Sequence, residues 1–319
     1  MFATLLVVLV LPFGGVQEAD DPEAQYRQEY ATFTDISAVA DPAARATQFM
    51  DFQDEGFDQR LAEYVTGGVQ TALVELTESQ RYDDLYPLAD RWDEQTGGYT
   101  GAAIGLQASA ADGNNEMITK YGEIVYAQQP VADIAQVIAT SYSALDNNEK
   151  FLEFANITID AKGLAEAFDF AYNIFGQALA AQNWDEAADW ARRLKGLASA
   201  PAGVSATEWQ GMQVEFQTTI ARAAYEGERW DVAIREYQAL GAMGRGQRGI
   251  SNFYLGQIYL KTEQFNLAMQ RFADASLAND QRFSSGSRSM LEEIYKANTG
   301  GTLEGLEENV LGAARARMR

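Results

Sequence analysis

The sequence contains no cysteine and no histidine among its 319 residues. The absence of cysteine excludes thiolate zinc sites and dithiol redox motifs, and without histidine there can be no nucleophile–base pair of the Ser-His or Cys-His kind. Proline is scarce, with six residues, which leaves long stretches free to form helices. The lack of cysteine does not identify the compartment, because a protein can be secreted without disulfides.

Basic residues are scarce in the first part of the chain. Residues 1–200 hold 11 Lys and Arg against 32 Asp and Glu, whereas residues 201–319 hold 13 against 14. An acidic surface repels phosphate backbones and anionic lipid, which argues against nucleic acid as a partner. Two interpretations stay open: a solvated surface that keeps the protein soluble, or an acidic face for a basic partner.

What is abundant is apolar content and helix-forming side chains. Hydrophobic residues make up 47% of the chain, enough for a large core. Much of that content is Ala and Leu, and the polar content is rich in Glu and Gln, which favour helices. We therefore expect an all-α fold.

The amino terminus carries a short apolar run, "LLVVLVLPF", from residue 5 to residue 13. It is too short to cross a bilayer, which needs about 20 residues, so we expect no stable membrane span. The run suits a secretory signal peptide over residues 1–19, with cleavage near Gly15 or Ala19, and predicts a periplasmic or secreted protein. The basic residues that usually precede such a run are missing here, so either the natural start lies upstream or the run is a poor signal.

The C-terminal half repeats itself at an interval of 35 residues. "SNFYLGQIYLKTEQFNLAMQRFADASL" aligns beneath "TTIARAAYEGERWDVAIREYQAL", which places Gly256 under Ala221. A third copy, "FGQALAAQNWDEAADWARRLKGL", supplies Gly176 in the same column if its inner loop is one residue shorter. One position of the second helix recurs at residues 89, 121, 155, 191, 237 and 272, with spacings of 32, 34, 36, 46 and 35.

Leu255, Gly256, Tyr259, Ala268 and Phe272 match the pattern L-G-x2-Y followed by A-x3-F in order and spacing. The chain thus resembles the tetratricopeptide repeat (TPR) family, in an exported bacterial form, over roughly residues 67–277. The resemblance implies a right-handed α-solenoid of about six helix pairs, each with a helix A and a helix B, and capping helices at both ends. A small residue in helix A would let helix B approach, and a large one at Trp184, Trp230 or Phe265 would plug the start of helix B.

The predicted organisation has six parts. They are a signal peptide (1–19), N-terminal capping helices (20–66), acidic degenerate repeats (67–195), an insertion or hinge loop (196–206), further repeats (207–283) and C-terminal capping helices (284–319). Asp41-Pro42 is typical of a helix start, and Ser205 with Glu208 of a capping box. Gly300-Gly301 is expected to separate the last two helices.

The stretch "GRGQRG" contains the pattern G-x-G-x-x-G at Gly244, Gly246 and Gly249. A dinucleotide-binding loop needs a β-strand in front of it and an acidic residue about 20 positions further on. The preceding "WDVAIREYQALGAM" has a helical period, and residues 265–273 contain no acid. We interpret the glycines as a turn between two helices.

These features favour a non-catalytic scaffold or adaptor that binds a peptide or protein outside the cytoplasm. The TPR resemblance implies that helix-A residues line the binding groove, and the candidates by repeat position are Asn173, Gln177, Thr218, Arg222, Phe253 and Gln257. We predict no catalytic residue, no metal and no cofactor. Two alternatives remain: a structural component of a cell-envelope assembly, and an α/α enzyme that uses paired carboxylates.

Overall fold

The computed structural model describes residues 22–278 and 280–318, and within these ranges it contains helices and no strand. In chain order the α-helices are α1 (Pro22–Ser37), α2 (Pro42–Glu55), α3 (Ala62–Glu78), α4 (Tyr82–Thr96), α5 (Thr100–Asp112), α6 (Asn115–Gln128), α7 (Ala132–Ala144), α8 (Asn148–Lys162), α9 (Phe168–Ala180), α10 (Trp184–Lys195), α11 (Ala206–Glu226), α12 (Trp230–Ala242), α13 (Arg248–Lys261), α14 (Phe265–Ser276), α15 (Gln281–Asn298) and α16 (Gly312–Met318). The all-α prediction is confirmed. The predicted signal peptide lies outside the described residues.

The chain divides into two compact units, residues 1–151 and 152–319, with the division inside α8. In the N-terminal unit, helices that are neighbours in the chain pack together from α1 to α7. In addition α2 packs against α4, and α3 packs against α5. These contacts between alternate helices are the arrangement expected of stacked helix pairs, because each pair buries its apolar face against the next.

The C-terminal unit follows the same rule. Neighbouring helices pack together from α9 to α15, and α13 also packs against α15. Its core includes Tyr237, Leu240, Leu255, Phe272 and Leu291, all with at most 1% of their surface exposed. Each unit is therefore built of helices that pack against their neighbours in the chain and bury an apolar core between them.

The turn between the two helices of a pair has one backbone geometry in all six pairs. Its middle residue has a positive φ between 53° and 72°; the residues are Gln80, Gly113, Asp146, Gln182, Glu228 and Glu263. In every case the next amide donates a hydrogen bond of 2.7–3.0 Å to the carbonyl five positions back. This bond ends the first helix as in a Schellman motif. The middle residues are 33, 33, 36, 46 and 35 positions apart, so the predicted period of helix pairs is present in the structure.

Side-chain sizes are complementary where the two helices of a pair meet. A Cβ added at Gly105 would lie 2.8 Å from the ring of Tyr121, and one added at Gly256 would lie 2.8 Å from the ring of Phe272. Both glycines precede their aromatic partner by 16 positions. At the equivalent positions Ala221 stands with Tyr237, Leu73 with Ala89, and Phe175 with Ala191, and all of these are buried. In these five pairs a large residue in one helix is thus matched by a small residue in the other.

The alignment proposed for the fourth pair was wrong by one residue. The turn at Gln182 has the same length as those at Glu228 and Glu263, so the inner loop is not shorter. The residue equivalent to Ala221 is therefore Phe175, which is buried, while Gly176 is exposed and has no atom within 4 Å of an added Cβ.

The expectation for the first residue of helix B holds only in part. Trp184 and Trp230 are half-buried, but Phe265 leaves 45% of its surface exposed. Phe265 does not plug its helix pair. It lines a surface cavity of about 570 Å³ between α14 and the C-terminal end of α15.

The predicted helix boundaries at both ends and around the insertion are present. The side chain of Asp41 accepts a hydrogen bond of 2.9 Å from the amide of Ala44 at the start of α2, with Pro42 as the first helical residue. Ser205 and Glu208 form the reciprocal capping box of α11. Positive φ values at Gly300 and Gly301 separate α15 from the final helical segment.

The stretch "GRGQRG" is a turn between helices, as interpreted from the sequence. It follows α12, forms a 3-10 turn over Arg245–Gln247 and leads directly into α13. No strand precedes it in this part of the described chain, so the structure lacks the strand–turn–helix unit of a dinucleotide site.

Substitution of glycine by alanine should change the free energy of unfolding in opposite directions at Gly256 and at Gly176. Gly256→Ala should lower the free energy of unfolding by about 1–2 kcal/mol, because the new methyl group collides with the buried ring of Phe272. Gly176→Ala should raise it by about 0.5–1 kcal/mol, because alanine favours the helix and meets no neighbour there. Urea unfolding followed by circular dichroism measures both. Equal effects at the two sites would contradict the proposed helix contact.

Candidate functional site

Charge is distributed unequally between the two helices of a pair. Helices α5, α7 and α9, each the first of its pair, carry one charged residue each. Helices α4, α8 and α10, each the second, carry six, five and six. On α7 the exposed residues include Gln136, Val137 and Thr140, all uncharged. Helices α4, α8 and α10 are therefore more highly charged than α5, α7 and α9. The contrast does not extend to the last two pairs, because α11 carries four charged residues against three on α12, and α13 and α14 carry two each.

The structure places the six candidate binding residues on α9, α11 and α13, each the first helix of its pair. Asn173 and Gln177 lie on α9, and the side chain of Gln177 donates a hydrogen bond of 2.9 Å to that of Asn173. Thr218 lies on α11, where its hydroxyl donates to the carbonyl of Val214 in the preceding turn at 2.7 Å. That hydroxyl is therefore engaged within its own helix.

Tyr254, which was not among the candidates from the sequence, contacts both Arg222 and Phe253. The guanidinium of Arg222 on α11 donates a hydrogen bond to the hydroxyl of Tyr254 on α13. The ring of Phe253 meets that of Tyr254 edge to face at 5.3 Å. Gln257, one turn further along α13, is half-buried.

The guanidinium of Arg222 lies among three aromatic rings. It is 5.0 Å from the ring centre of Tyr254 and 5.6 Å from those of Tyr225 and Trp184. It also forms an ion pair with Glu226, one turn further along α11. Cation–π attraction and the ion pair hold the charge at a half-buried position.

A second cation, Lys261 on α13, approaches the same rings. Its amine is 5.6 Å from the ring centre of Tyr225 and 5.4 Å from that of Trp230. Tyr225 thus contacts two cations from neighbouring first helices. We call Arg222, Lys261 and the rings of Trp184, Tyr225, Trp230 and Tyr254 the cation–aromatic cluster.

Below this cluster Tyr254 stacks on Tyr237, with ring centres 4.9 Å apart and planes inclined by 11°. Tyr237 is completely buried, and its hydroxyl has no hydrogen-bond partner among the described residues. Burial raises the pKa of Tyr237, and burial likewise raises the pKa of Tyr254 against the lowering effect of Arg222. Both hydroxyls therefore stay neutral and protonated at physiological pH.

Correcting the register of the fourth pair adds Tyr172 to the site. Tyr172 is equivalent to Thr218 and Phe253, whereas Asn173 is one position away. The hydroxyl of Tyr172 donates to the carboxylate of Glu215 at 2.9 Å, and burial, then this carboxylate, raises its pKa to about 12. The turn length would have located Tyr172 in the sequence, had it been used in place of the glycine match.

Two adjoining cavities lie on the second helix of the last pair. The larger, about 570 Å³, is lined by Phe265, Leu267, Met269 and Tyr295 among others. The smaller, about 300 Å³, shares Leu267 and Met269 and extends to Val310. With 38% of Leu267 exposed, these cavities form an apolar surface distinct from the cation–aromatic cluster.

Within residues 22–278 and 280–318, no helix combines the length and apolarity needed to cross a membrane. Across the same ranges, no group of three or more acidic side chains is arranged to hold a metal ion. In comparisons with known proteins, no protein-family model and no curated protein matches this chain.

Replacing each of the two stacked tyrosines by phenylalanine should affect the free energy of unfolding differently. Tyr254→Phe should lower the free energy of unfolding by about 1–2 kcal/mol, because it removes the acceptor of the Arg222 hydrogen bond. Tyr237→Phe should leave it unchanged or raise it by up to about 1 kcal/mol, because the buried hydroxyl has no partner. Chemical unfolding of both variants measures the difference. A loss at Tyr237 as large as that at Tyr254 would show that its hydroxyl is bonded.

Proposed function

We propose that this protein is a non-catalytic scaffold or adaptor of the TPR type, which binds a peptide or protein through the first helices of its C-terminal pairs. The observation that carries the proposal is the cation–aromatic cluster. In it, Arg222 on α11 and Lys261 on α13 are held on the rings of two tyrosines and of the tryptophans that begin α10 and α12. In this proposal the helix pairs form a right-handed solenoid whose groove contains the cluster.

The chemistry of the cluster suits a peptide better than a small ion. Arginine, tyrosine and tryptophan dominate the energetics of protein interfaces, because they combine a large apolar area with directed polar groups. Phe253 adds a half-buried apolar surface next to Tyr254, and Gln257 adds an amide that can bond a peptide backbone. Rings, an amide and two cations within two helices can bind a segment that carries both apolar and carboxylate groups.

The site of action in this proposal is outside the cytoplasm. It rests on the apolar run at residues 5–13, which is typical of a signal peptide. Mass spectrometry of the native protein should find an amino-terminal peptide that begins near residue 16 or 20. An intact Met1 in a cytosolic fraction would contradict export and leave the binding proposal unaffected.

The binding surface is tested by site-specific crosslinking in the native organism. A photo-crosslinking residue at Gln257 should capture a discrete partner, whereas one at Arg235, on the exposed side of α12, should not. The triple variant Arg222→Ala, Phe253→Ala and Gln257→Ala should reduce partner recovery by about tenfold or more, because hot-spot residues contribute most of the binding energy.

Arg235→Ala provides the control, since its side chain is 69% exposed and pairs only with its neighbour Glu236. The milder Arg222→Gln removes the charge and keeps a shorter polar side chain. Folding of every variant is checked by circular dichroism. Unchanged recovery with the triple variant would overturn the proposed surface.

A second candidate, a structural component of a cell-envelope assembly, is favoured by the exposed apolar residues of α14. Phe265 and Leu267 expose 45% and 38% of their surface beside a cavity of about 570 Å³. Permanent interfaces cover such apolar surface more completely than transient ones. A partner recovered in equal amount, and lost with Phe265→Ser and Leu267→Ser but not with Arg222→Gln, would favour the assembly role.

A further inference from the structure

Four aromatic side chains form a continuous patch on α1 and the beginning of α3. Ring centres are 6.1 Å apart for Tyr26 and Tyr30, 6.2 Å for Tyr30 and Phe33, and 6.0 Å for Phe33 and Tyr64. Phe33 also meets the buried Phe49 at 5.6 Å, which fixes the patch to the core. We call Tyr26, Tyr30, Phe33 and Tyr64 the tyrosine patch.

The two outer rings of the patch face solvent. Tyr30 exposes 50% of its surface and Tyr64 exposes 60%, more than any other large apolar or aromatic side chain in the described residues. Both are on helices at the amino-terminal end of their unit, and neither is needed to fill the core. Both outer rings pack against the half-buried Phe33, and rings held in this way lose little entropy when a partner covers them.

Arg60 of the same unit shows how a guanidinium group binds to a ring of this patch. The guanidinium of Arg60 lies 3.9 Å from the ring centre of Tyr26 and forms ion pairs with Glu23 at 2.9 Å and Asp58 at 2.8 Å. The hydrogen bonds from Arg60 lower the pKa of the Asp58 carboxyl to about 2. A guanidinium is thus stacked on one ring of the patch and neutralised by carboxylates beside it.

The surroundings of the patch favour a cationic partner. Residues 22–151 contain 22 Asp and Glu but 7 Lys and Arg. Cations of this unit form ion pairs with its carboxylates; among them are Arg45, Arg60, Arg81, Arg91, Lys120 and Lys150. The unit therefore carries a large excess of negative charge, which attracts cations and repels nucleic acid and anionic lipid.

We propose that the tyrosine patch binds an arginine-containing basic segment of a partner protein, with guanidinium groups stacked on Tyr30 and Tyr64 in the manner of Arg60 on Tyr26. The flanking carboxylates attract the segment from a distance, and the rings select arginine, because a planar guanidinium stacks on an aromatic face better than a lysine ammonium does. This surface belongs to the N-terminal unit and does not depend on the cation–aromatic cluster.

The test uses the full chain and a fluorescein-labelled RGSRGSR peptide, with binding followed by fluorescence anisotropy. The salt concentration is about 150 mM, where long-range attraction is screened beyond about 8 Å. The double variant Tyr30→Ala/Tyr64→Ala should bind about tenfold more weakly, because it removes two cation–π contacts while the net charge stays the same. A KGSKGSK peptide should bind the unchanged protein several-fold more weakly than RGSRGSR.

Matched variants separate ring recognition from other effects. Tyr30→Phe/Tyr64→Phe keeps both rings and should bind the peptide within about twofold of the unchanged protein. Ile124→Ala removes a side chain that is 41% exposed on the same unit and should have no effect. Circular dichroism verifies that the alanine variant remains folded.

Three results would overturn the proposal. The first is equal binding by the double alanine variant, which would leave only diffuse attraction by the acidic surface. Another is loss of binding in the double phenylalanine variant as large as in the alanine variant. The last is the absence of saturable binding to the unchanged protein.

Discussion

The structure depends on how closely the two helices of each pair approach at their crossing. The crossing has room for one large side chain, and the opposite helix must then supply a small one. Gly105 with Tyr121 and Gly256 with Phe272 are the tightest cases, because a single added carbon would lie within 2.8 Å of the ring. Protein interiors are packed too densely to absorb such a collision, so this match sets the register of the two helices. The uniform turn, with its left-handed residue, then returns the chain to that register in every pair.

This constraint explains which features of the fold could be predicted from the sequence. The helix periods and the spacing of about 34 residues depend on local patterns, and both are present in the structure. The register of the fourth pair could not be obtained by matching glycines, because the small residue of the crossing can belong to either helix. Phe175 fits there since its partner Ala191 is small, and Gly176 then falls on the exposed side. Matching residue types misaligned the fourth pair by one residue, whereas matching turn lengths aligns it correctly.

The candidate site was predictable only to the level of the helix and the position. Arg222 and Phe253 follow from repeat position, but their contacts with Tyr254 arise from the packing of α11 and α13, which no local pattern encodes. Tyr225 and Lys261 were missed for the same reason: each is unremarkable within its own helix. The low charge of α5, α7 and α9, with one charged residue each, was readable in the sequence. It does not identify the candidate site, because α11 and α13 are no less charged than their partners α12 and α14.

The two units use the same interaction in opposite ways. In the C-terminal unit the cations Arg222 and Lys261 belong to the chain and are already held on its own rings, so the groups left for a partner are the outer faces of those cations. In the N-terminal unit Arg60 stacks on the ring of Tyr26, while Tyr30 and Tyr64 remain exposed in an acidic unit. In the two proposals a partner of the first surface supplies acceptors, and a partner of the second supplies cations. Because these requirements differ in sign, one short segment of uniform charge cannot satisfy both.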